Sequence, residues 1–99
     1  MRFKKKFRSS KGWDITFRSN VHMYCHHLEA TKSSKRFEVP CEDTPEGFIG
    51  IWFMPVEIEN EIREDLIPAL AEFFEGLGSP FKIHNLDGEV VAKLETSTS

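Results

Sequence analysis

One segment of this chain has helical periodicity, and that segment restricts the fold to one helix that packs against several strands. Between about Val56 and Leu77, apolar side chains recur every three or four residues and fall on one side of a helical wheel. The apolar set comprises Ile58, Ile62, Leu66, Ala69, Leu70, Phe73 and Phe74. Acidic side chains fill the opposite arc, and Gly76 and Gly78 are residues at which helices typically end. We therefore predict one long amphipathic helix over this segment.

Pro68 lies in the middle of this predicted helix. A proline there removes one backbone donor and bends the helix. The apolar stripe keeps the same phase before and after Pro68, and Pro68 itself falls on the acidic side of the wheel. We predict one continuous helix whose convex, acidic side faces solvent. A break into two shorter helices is the alternative.

The N-terminal third alternates between apolar and polar residues, which is typical of β-strands. A turn at 9–12 separates two predicted strands. In the second of them, Trp13, Ile15 and Phe17 are expected to share a buried face. Because the alternation continues through 21–28, we expect that segment to be a strand without interruption.

Two further strands are predicted before the helix. One follows a turn at 32–35 and ends at Pro40, because proline supplies no backbone donor to a sheet. The other covers 48–54, is apolar on both faces and is closed by Pro55. A strand with two apolar faces belongs in the centre of a sheet or at an interface.

A hairpin is predicted after the helix. Residues 87–88, Asp-Gly, are a strong signal for a two-residue turn between antiparallel strands. This turn sets Phe81 opposite Leu94. It also sets Ile83 opposite Ala92, so one face of the hairpin is apolar on both strands.

These elements predict the α+β class. We expect an antiparallel sheet of about five to seven strands with the long amphipathic helix packed on one face, a two-layer sandwich. Residues 1–95 form one domain, since a chain of 99 residues supports a single core. Residues 96–99 have no apolar anchor and are predicted to be a disordered tail.

The composition indicates a cytoplasmic protein. No apolar segment approaches the roughly 20 residues that cross a bilayer, and no signal-peptide pattern follows the basic start, so we expect no membrane partner. Cys25 and Cys41 are too few for a disulfide framework and are expected to be free thiols.

No catalytic, metal or cofactor site is predicted. On a strand, His22 and His26 would lie about 13 Å apart, too far to share a metal ion, so they are expected on a solvent-facing side of the sheet. Cys25 and His26 are adjacent and would point to opposite faces, which disfavours a thiolate–imidazole pair. The chain also lacks a nucleophile elbow and a phosphate-binding loop. We expect a protein that is not an enzyme.

Charge is strongly divided along the chain. Residues 1–36 contain ten lysines and arginines against two acidic residues, whereas residues 37–99 contain three against fourteen. Such a division indicates an acidic partner for the basic third, or the satisfaction of one half by the other within the chain or across a homodimer. Together with the doubly apolar strand and nine phenylalanines, it favours a small accessory or protein-interaction protein that forms a homodimer.

Two alternative functions remain open. One is single-stranded nucleic-acid binding through the basic N-terminal hairpin, using phosphate contacts and stacking on Phe7, Trp13 or Tyr24. The basic residues concerned are Lys4, Lys5, Lys6, Arg8, Lys11, Arg18, Lys35 and Arg36. The other is a small-ligand site in an apolar pocket between helix and sheet. Its candidate lining residues are Trp52, Phe53, Phe73, Phe74, His22, Tyr24 and His26.

Overall fold

The computed structural model describes residues 3–95, and in this range seven strands and one helix follow one another. They are β1 (Lys4–Arg8), β2 (Asp14–His22), β3 (Cys25–Lys32), β4 (Lys35–Asp43), β5 (Ile49–Trp52), α1 (Asn60–Leu77), β6 (Phe81–His84) and β7 (Val90–Leu94). The strands form one sheet in sequence order, with α1 packed on one face. The α+β two-layer fold is confirmed. The tail predicted at 96–99 lies outside the described residues.

One pair of strands in this sheet is parallel. β5 and β6 run in the same direction, with Ile49 opposite Phe81 and Ile51 opposite Ile83, whereas the other five pairs are antiparallel. The reason is the helix, because a crossover through α1 returns the chain to the end of the sheet at which β5 began. The strand predicted to be apolar on both faces is therefore an inner strand next to this crossover.

Aromatic contacts tie both sides of the sheet to the helix. The ring centroid of Phe7 on β1 lies 5.7 Å from that of Phe73, and that of Phe81 on β6 lies 5.5 Å from that of Phe74. Phe73 and Phe74 are themselves 4.9 Å apart. Strands from both sides of the sheet therefore pack on one pair of rings on α1. The face of the sheet away from α1 is called the outer face.

The core is built from the alternating residues that the sequence places inward. Trp13, Ile15 and Phe17 are each 1 % exposed, as predicted. Leu66 and Leu70 from the helix stripe are fully buried among them. Ser9, Ser19, His26 and Arg63 are the polar residues buried within the described range, and Arg63 falls inside the apolar stripe of α1.

The uninterrupted strand predicted over 21–28 is wrong. A turn at Met23 and Tyr24 divides it, and His22 pairs with Cys25 across that turn. Met23 has a φ of 52°, a left-handed conformation that the alternation of side chains does not signal. As a consequence, His26 faces the core and not solvent, which corrects its predicted placement.

The strand end predicted at Pro40 is also wrong, since β4 continues to Asp43. Pro40 stands opposite His27 of β3. On its other side β4 pairs with β5 only from Cys41 onward, so Pro40 lies where β4 has one neighbour. A strand tolerates proline at such a position because no donor is required on the free side.

The helix begins later than predicted and continues through its proline. α1 starts at Asn60, with Glu59 extended before it, so the segment from Val56 is not helical. Pro68 lies inside the helix, which confirms the continuous interpretation over a break; the bend itself stays a prediction. Gly78 ends the helix in a left-handed conformation with φ of 78°.

The terminal hairpin has the predicted register with a different turn. Phe81 pairs with Leu94 and Ile83 with Ala92. The two-residue turn at 87–88 is wrong, however: Asn85 and Glu89 close a three-residue loop in which Gly88 has a φ of 82°. The longer loop shifts the pairing by one residue, and an irregularity between Ile83 and His84 shifts it back.

Candidate functional site

The predicted nucleic-acid-binding residues are divided between the two faces of the sheet. Pairing places Lys4, Lys6, Arg8, Arg18 and Arg36 on the outer face. Lys5 and Lys35 lie on the helix side, and Lys11 lies in the β1–β2 turn. Only the five residues on the outer face are thus brought onto one surface.

Three of the outer-face cations have no acidic partner. Arg8 lies 3.7 Å from Asp14 and Arg36 lies 2.8 Å from Glu29, so these two charges are compensated. Lys4, Lys6 and Arg18 form no ion pair with any residue in the range 3–95. Lys4 pairs with Arg18 across the β1–β2 ladder, which makes this a compact positive patch.

The aromatic residues proposed for base stacking lie elsewhere. Trp13 is buried, and its indole Nε1 donates a 2.8 Å hydrogen bond to Asp65 of the helix. Phe7 packs on Phe73 on the helix side of the sheet. Tyr24 is 66 % exposed in the β2–β3 turn. The positive patch and these rings are therefore not combined into one surface.

The predicted ligand-pocket residues are also dispersed. Phe53, Phe73 and Phe74 are at most 1 % exposed and fill the core between helix and sheet. Trp52 is on the outer face, opposite His84. Two of the predicted polar groups, His22 and Tyr24, lie at the exposed end of the β2–β3 hairpin.

His26 joins the ends of β2, β3 and β4. Its Nδ1 accepts a 2.8 Å hydrogen bond from the Asn20 amide, and its Nε2 lies 2.8 Å from Asp43 Oδ1. Because Nδ1 accepts, Nε2 carries the proton and donates to the carboxylate. The Phe17 ring lies 5.1 Å from the imidazole. These two hydrogen bonds position the β2–β3 turn. Because both ring nitrogens are hydrogen-bonded, His26 has no free nitrogen for proton transfer.

Charged side chains form a network on the outer face of β3 and β4. Ligand atoms of His27, Glu29 and Glu38 all lie within 4.8 Å of one another, a spacing that could hold a metal ion. Arg36 already contacts both carboxylates, at 2.8 and 3.4 Å. The hydrogen bond from His27 lowers the pKa of Glu38. The cluster is thus an ion-pair network in which Arg36 already compensates the two carboxylates.

The two thiols differ in accessibility. Cys25 is exposed, whereas Cys41 is buried in the core. Burial, followed by the nearby charge of Asp43, raises the pKa of the Cys41 thiol to about 12. A thiol of that kind is protonated at neutral pH and is a poor nucleophile.

The two charge halves meet at the partly exposed ion pair of Lys32 with Asp65, in addition to the contact of Arg36 with Glu38. Lys32 Nζ lies 2.7 Å from Asp65 Oδ2, and the same carboxylate accepts from Trp13. These two hydrogen bonds lower the pKa of Asp65, the bond from Lys32 being the stronger cause. Most acidic residues on the outward side of α1 form no such contact within the described chain. The charge division is therefore largely uncompensated in one molecule.

The free edge of the sheet at β7 is apolar. Val90 and Val91 are each 40 % exposed, and Leu86 in the adjacent loop is 45 % exposed. Among residues 3–95, β7 pairs with β6 alone. This surface was not predicted from the sequence, although the adjacent valines, which interrupt the apolar–polar alternation, are a signal of it.

Comparison with protein-family models, with curated proteins and with solved structures finds no match to this chain. Between residues 3 and 95, no helix combines the length and apolar composition that crossing a bilayer requires.

Proposed function

We propose that this chain is a small non-enzymatic interaction protein of the cytoplasm that works as a homodimer, in which β7 pairs with β7 of a second copy. The observation that carries the proposal is the apolar, unpaired β7 edge. An edge strand presents a row of free backbone donors and acceptors, and exposed apolar residues on such a strand favour pairing with another chain. The helix runs beside β7, so the sheet edge and α1 would extend together into the dimer.

The sequence of β7 is compatible with a two-fold axis. Antiparallel pairing centred on Ala92 sets Ala92 opposite its own copy and Val91 opposite Lys93. No like charges face each other in this register, so the side chains do not oppose the pairing.

The other free edge, β1, is unsuited to the same arrangement. Antiparallel pairing of β1 centred on Lys6 sets Lys6 opposite its own copy and Lys4 opposite Arg8. Like charges directly opposite each other destabilise a sheet. Lysines on an edge strand are a common protection against unwanted pairing. The lysines of β1 therefore disfavour the strand pairing that β7 permits.

The test is the molar mass in solution, measured by light scattering after size-exclusion chromatography over a concentration series. We expect a dimer for the natural chain and a monomer for Val91→Lys, which sets Lys opposite Lys93. The matched control is Val21→Lys, because Val21 is a similarly exposed valine, 48 % accessible, at the far end of β2. A monomeric natural chain at all concentrations, or a dimer that both variants leave intact, contradicts the proposal.

Salt distinguishes this interface from one between the charge halves. Pairing through β7 brings no opposite charges together, so the dimer should persist when ionic strength rises to about 0.5 M. An interface between the basic third and the acidic remainder would dissociate, because salt screens exposed charges over a few ångströms at that ionic strength.

A second candidate function is single-stranded nucleic-acid binding, and the positive patch of Lys4, Lys6 and Arg18 favours it. Phosphate contacts release counterions, so affinity should fall steeply with salt. The triple variant of these residues to Glu should abolish binding of a fluorescent mixed-sequence oligonucleotide in an anisotropy titration. The control, with the same change of charge, is Lys5→Glu, Lys11→Glu and Lys35→Glu, whose residues lie off the patch. Equal losses in both variants would refute site-specific binding.

A further inference from the structure

A groove on the outer face, separate from the β7 edge, has the features of a binding site. Its volume is about 490 Å³, within the range of small-molecule sites. β3, β4 and β5, with the residues that follow β5, supply its lining, which includes Cys25, His26, Pro40, Glu42, Trp52 and Met54. Met54 is 62 % exposed, so the groove opens to solvent.

Gly50, opposite Glu42, lets the indole of Trp52, which lines this groove, lie close to the sheet. A Cβ atom at position 50 would lie 2.3 Å from Cη2 of Trp52, closer than non-bonded atoms approach. Only glycine lets the ring lie there. A glycine in an inner strand weakens the sheet, because it has no side chain to pack. At position 50 the close approach of the Trp52 ring explains why a glycine is present.

One face of the Trp52 ring is covered and the other borders the groove. The His84 ring, on β6, stacks on the indole with a centroid distance of 5.3 Å and an interplanar angle of 9°. Because β5 lies between β6 and β4, the opposite face of the indole is directed toward the β4 residues that form the other wall. The stacked imidazole fixes the ring in place.

Glu42 supplies a negative charge beside this aromatic face. It stands opposite Gly50 in the β4–β5 ladder, and the Cys25 thiol donates to its Oε2 at 3.7 Å. Glu42 takes part in no ion pair with the residues from 3 to 95. An unpaired carboxylate next to an open indole face and apolar walls attracts a cation that carries apolar groups.

We propose that this groove binds a small organic ammonium ion, with the cationic head between the Trp52 indole and Glu42 and the apolar part against Met54 and Pro40. A quaternary or alkylated ammonium fits better than a metal ion, because Glu42 is the one carboxylate among the lining residues and both ring nitrogens of His26 are already hydrogen-bonded. The site does not depend on dimer formation, so its test and that of the proposed function are independent.

The experiment uses choline as the probe and 3,3-dimethylbutan-1-ol, its neutral isostere, as the matched control ligand. Each is titrated into ¹⁵N-labelled protein while the two indole N–H signals are followed by NMR. Choline should shift the Trp52 signal in a saturable manner. The Trp13 signal is the internal reference, because Trp13 is 1 % exposed and bonded to Asp65. The neutral isostere should bind about tenfold more weakly, since it lacks the cation–π attraction.

Two variants separate charge from shape. Glu42→Gln should weaken choline binding about tenfold while leaving the isostere unchanged, and Glu46→Gln, an exposed acid in the next loop, should have no effect. Gly50→Ala should displace the indole and weaken both ligands, with an otherwise unchanged amide spectrum reporting the intact fold. Equal binding of choline and its isostere, no saturable shift of Trp52, or unchanged choline affinity in Glu42→Gln would overturn the proposal.

Discussion

Replacement of Phe74 by alanine tests the packing that holds the helix on the sheet. Phe74 is fully buried, and its ring contacts Phe17 of β2, Phe73 of α1 and Phe81 of β6 at centroid distances of 5.6, 4.9 and 5.5 Å. Truncation removes the transfer free energy of a ring and leaves a cavity that three neighbouring rings cannot fill by small movements. Such Phe→Ala substitutions cost about 3–5 kcal/mol.

This cost is large compared with the total stability of the domain. A chain of 99 residues has a free energy of unfolding of about 5–15 kcal/mol. Phe74→Ala should therefore remove about a fifth or more of it, measured by urea denaturation followed by circular dichroism. The matched control is Phe3→Ala: Phe3 contacts Phe17 but is 42 % exposed at the edge of the sheet, so we expect a loss of roughly 1 kcal/mol. Equal losses in the two variants would refute the packing described above.

Three further predictions follow from individual contacts. Asp65→Asn should lower the free energy of unfolding at pH 7 by roughly 0.5–1 kcal/mol, because it removes the ion pair with Lys32 at a partly exposed site. Since the pKa of Asp65 is lowered in the folded chain, this contribution is present above the ordinary Asp pKa of about 3.9 and is lost as the pH falls through the folded pKa. Denaturation of both proteins between pH 2 and 7 should therefore converge at the acidic end, and a constant difference would be inconsistent with the ion pair. Pro68→Ala should keep the fold and raise the midpoint of urea denaturation, because a backbone donor is restored on the exposed side of the helix; a lower midpoint would show that the proline is needed. Ellman's reagent at pH 8 should modify one thiol, Cys25, in the folded chain and a second, Cys41, only in urea, because burial raises the pKa of Cys41 to about 12; rapid modification of both thiols without denaturant would contradict the buried placement.

Side-chain periodicity predicted the layers of this fold because burial acts on each residue locally. The inward face of β2 and the apolar stripe of α1 follow directly from it. The register between β6 and β7 was also predicted, although the turn was not, because matching Phe81 with Leu94 on the core side compensates for a different loop. Where a pairing buries one face, packing fixes the register more strongly than the turn does.

Backbone conformation and tertiary contacts explain the features of the fold that the sequence did not predict. The turn at Met23 and Tyr24 continues the alternation of its flanking strands, so nothing in the pattern marks it. Pro40 was read as a strand end because the partial overlap of β4 with β5 depends on the tertiary fold. The groove beside Trp52 was missed for a related reason: the place of Gly50 beneath an indole appears only when the ring orientation is known.

The most direct test of the central claim is an isotope-filtered NOE experiment on a one-to-one mixture of ¹³C-labelled and unlabelled protein. It detects only contacts between copies. Pairing of β7 about Ala92 predicts intermolecular contacts between the methyl groups of Val91 and the side chain of Lys93, at a concentration where light scattering reports a dimer. A dimer whose intermolecular contacts arise from β1, or from α1 without β7, or the absence of any intermolecular contact, would contradict the account.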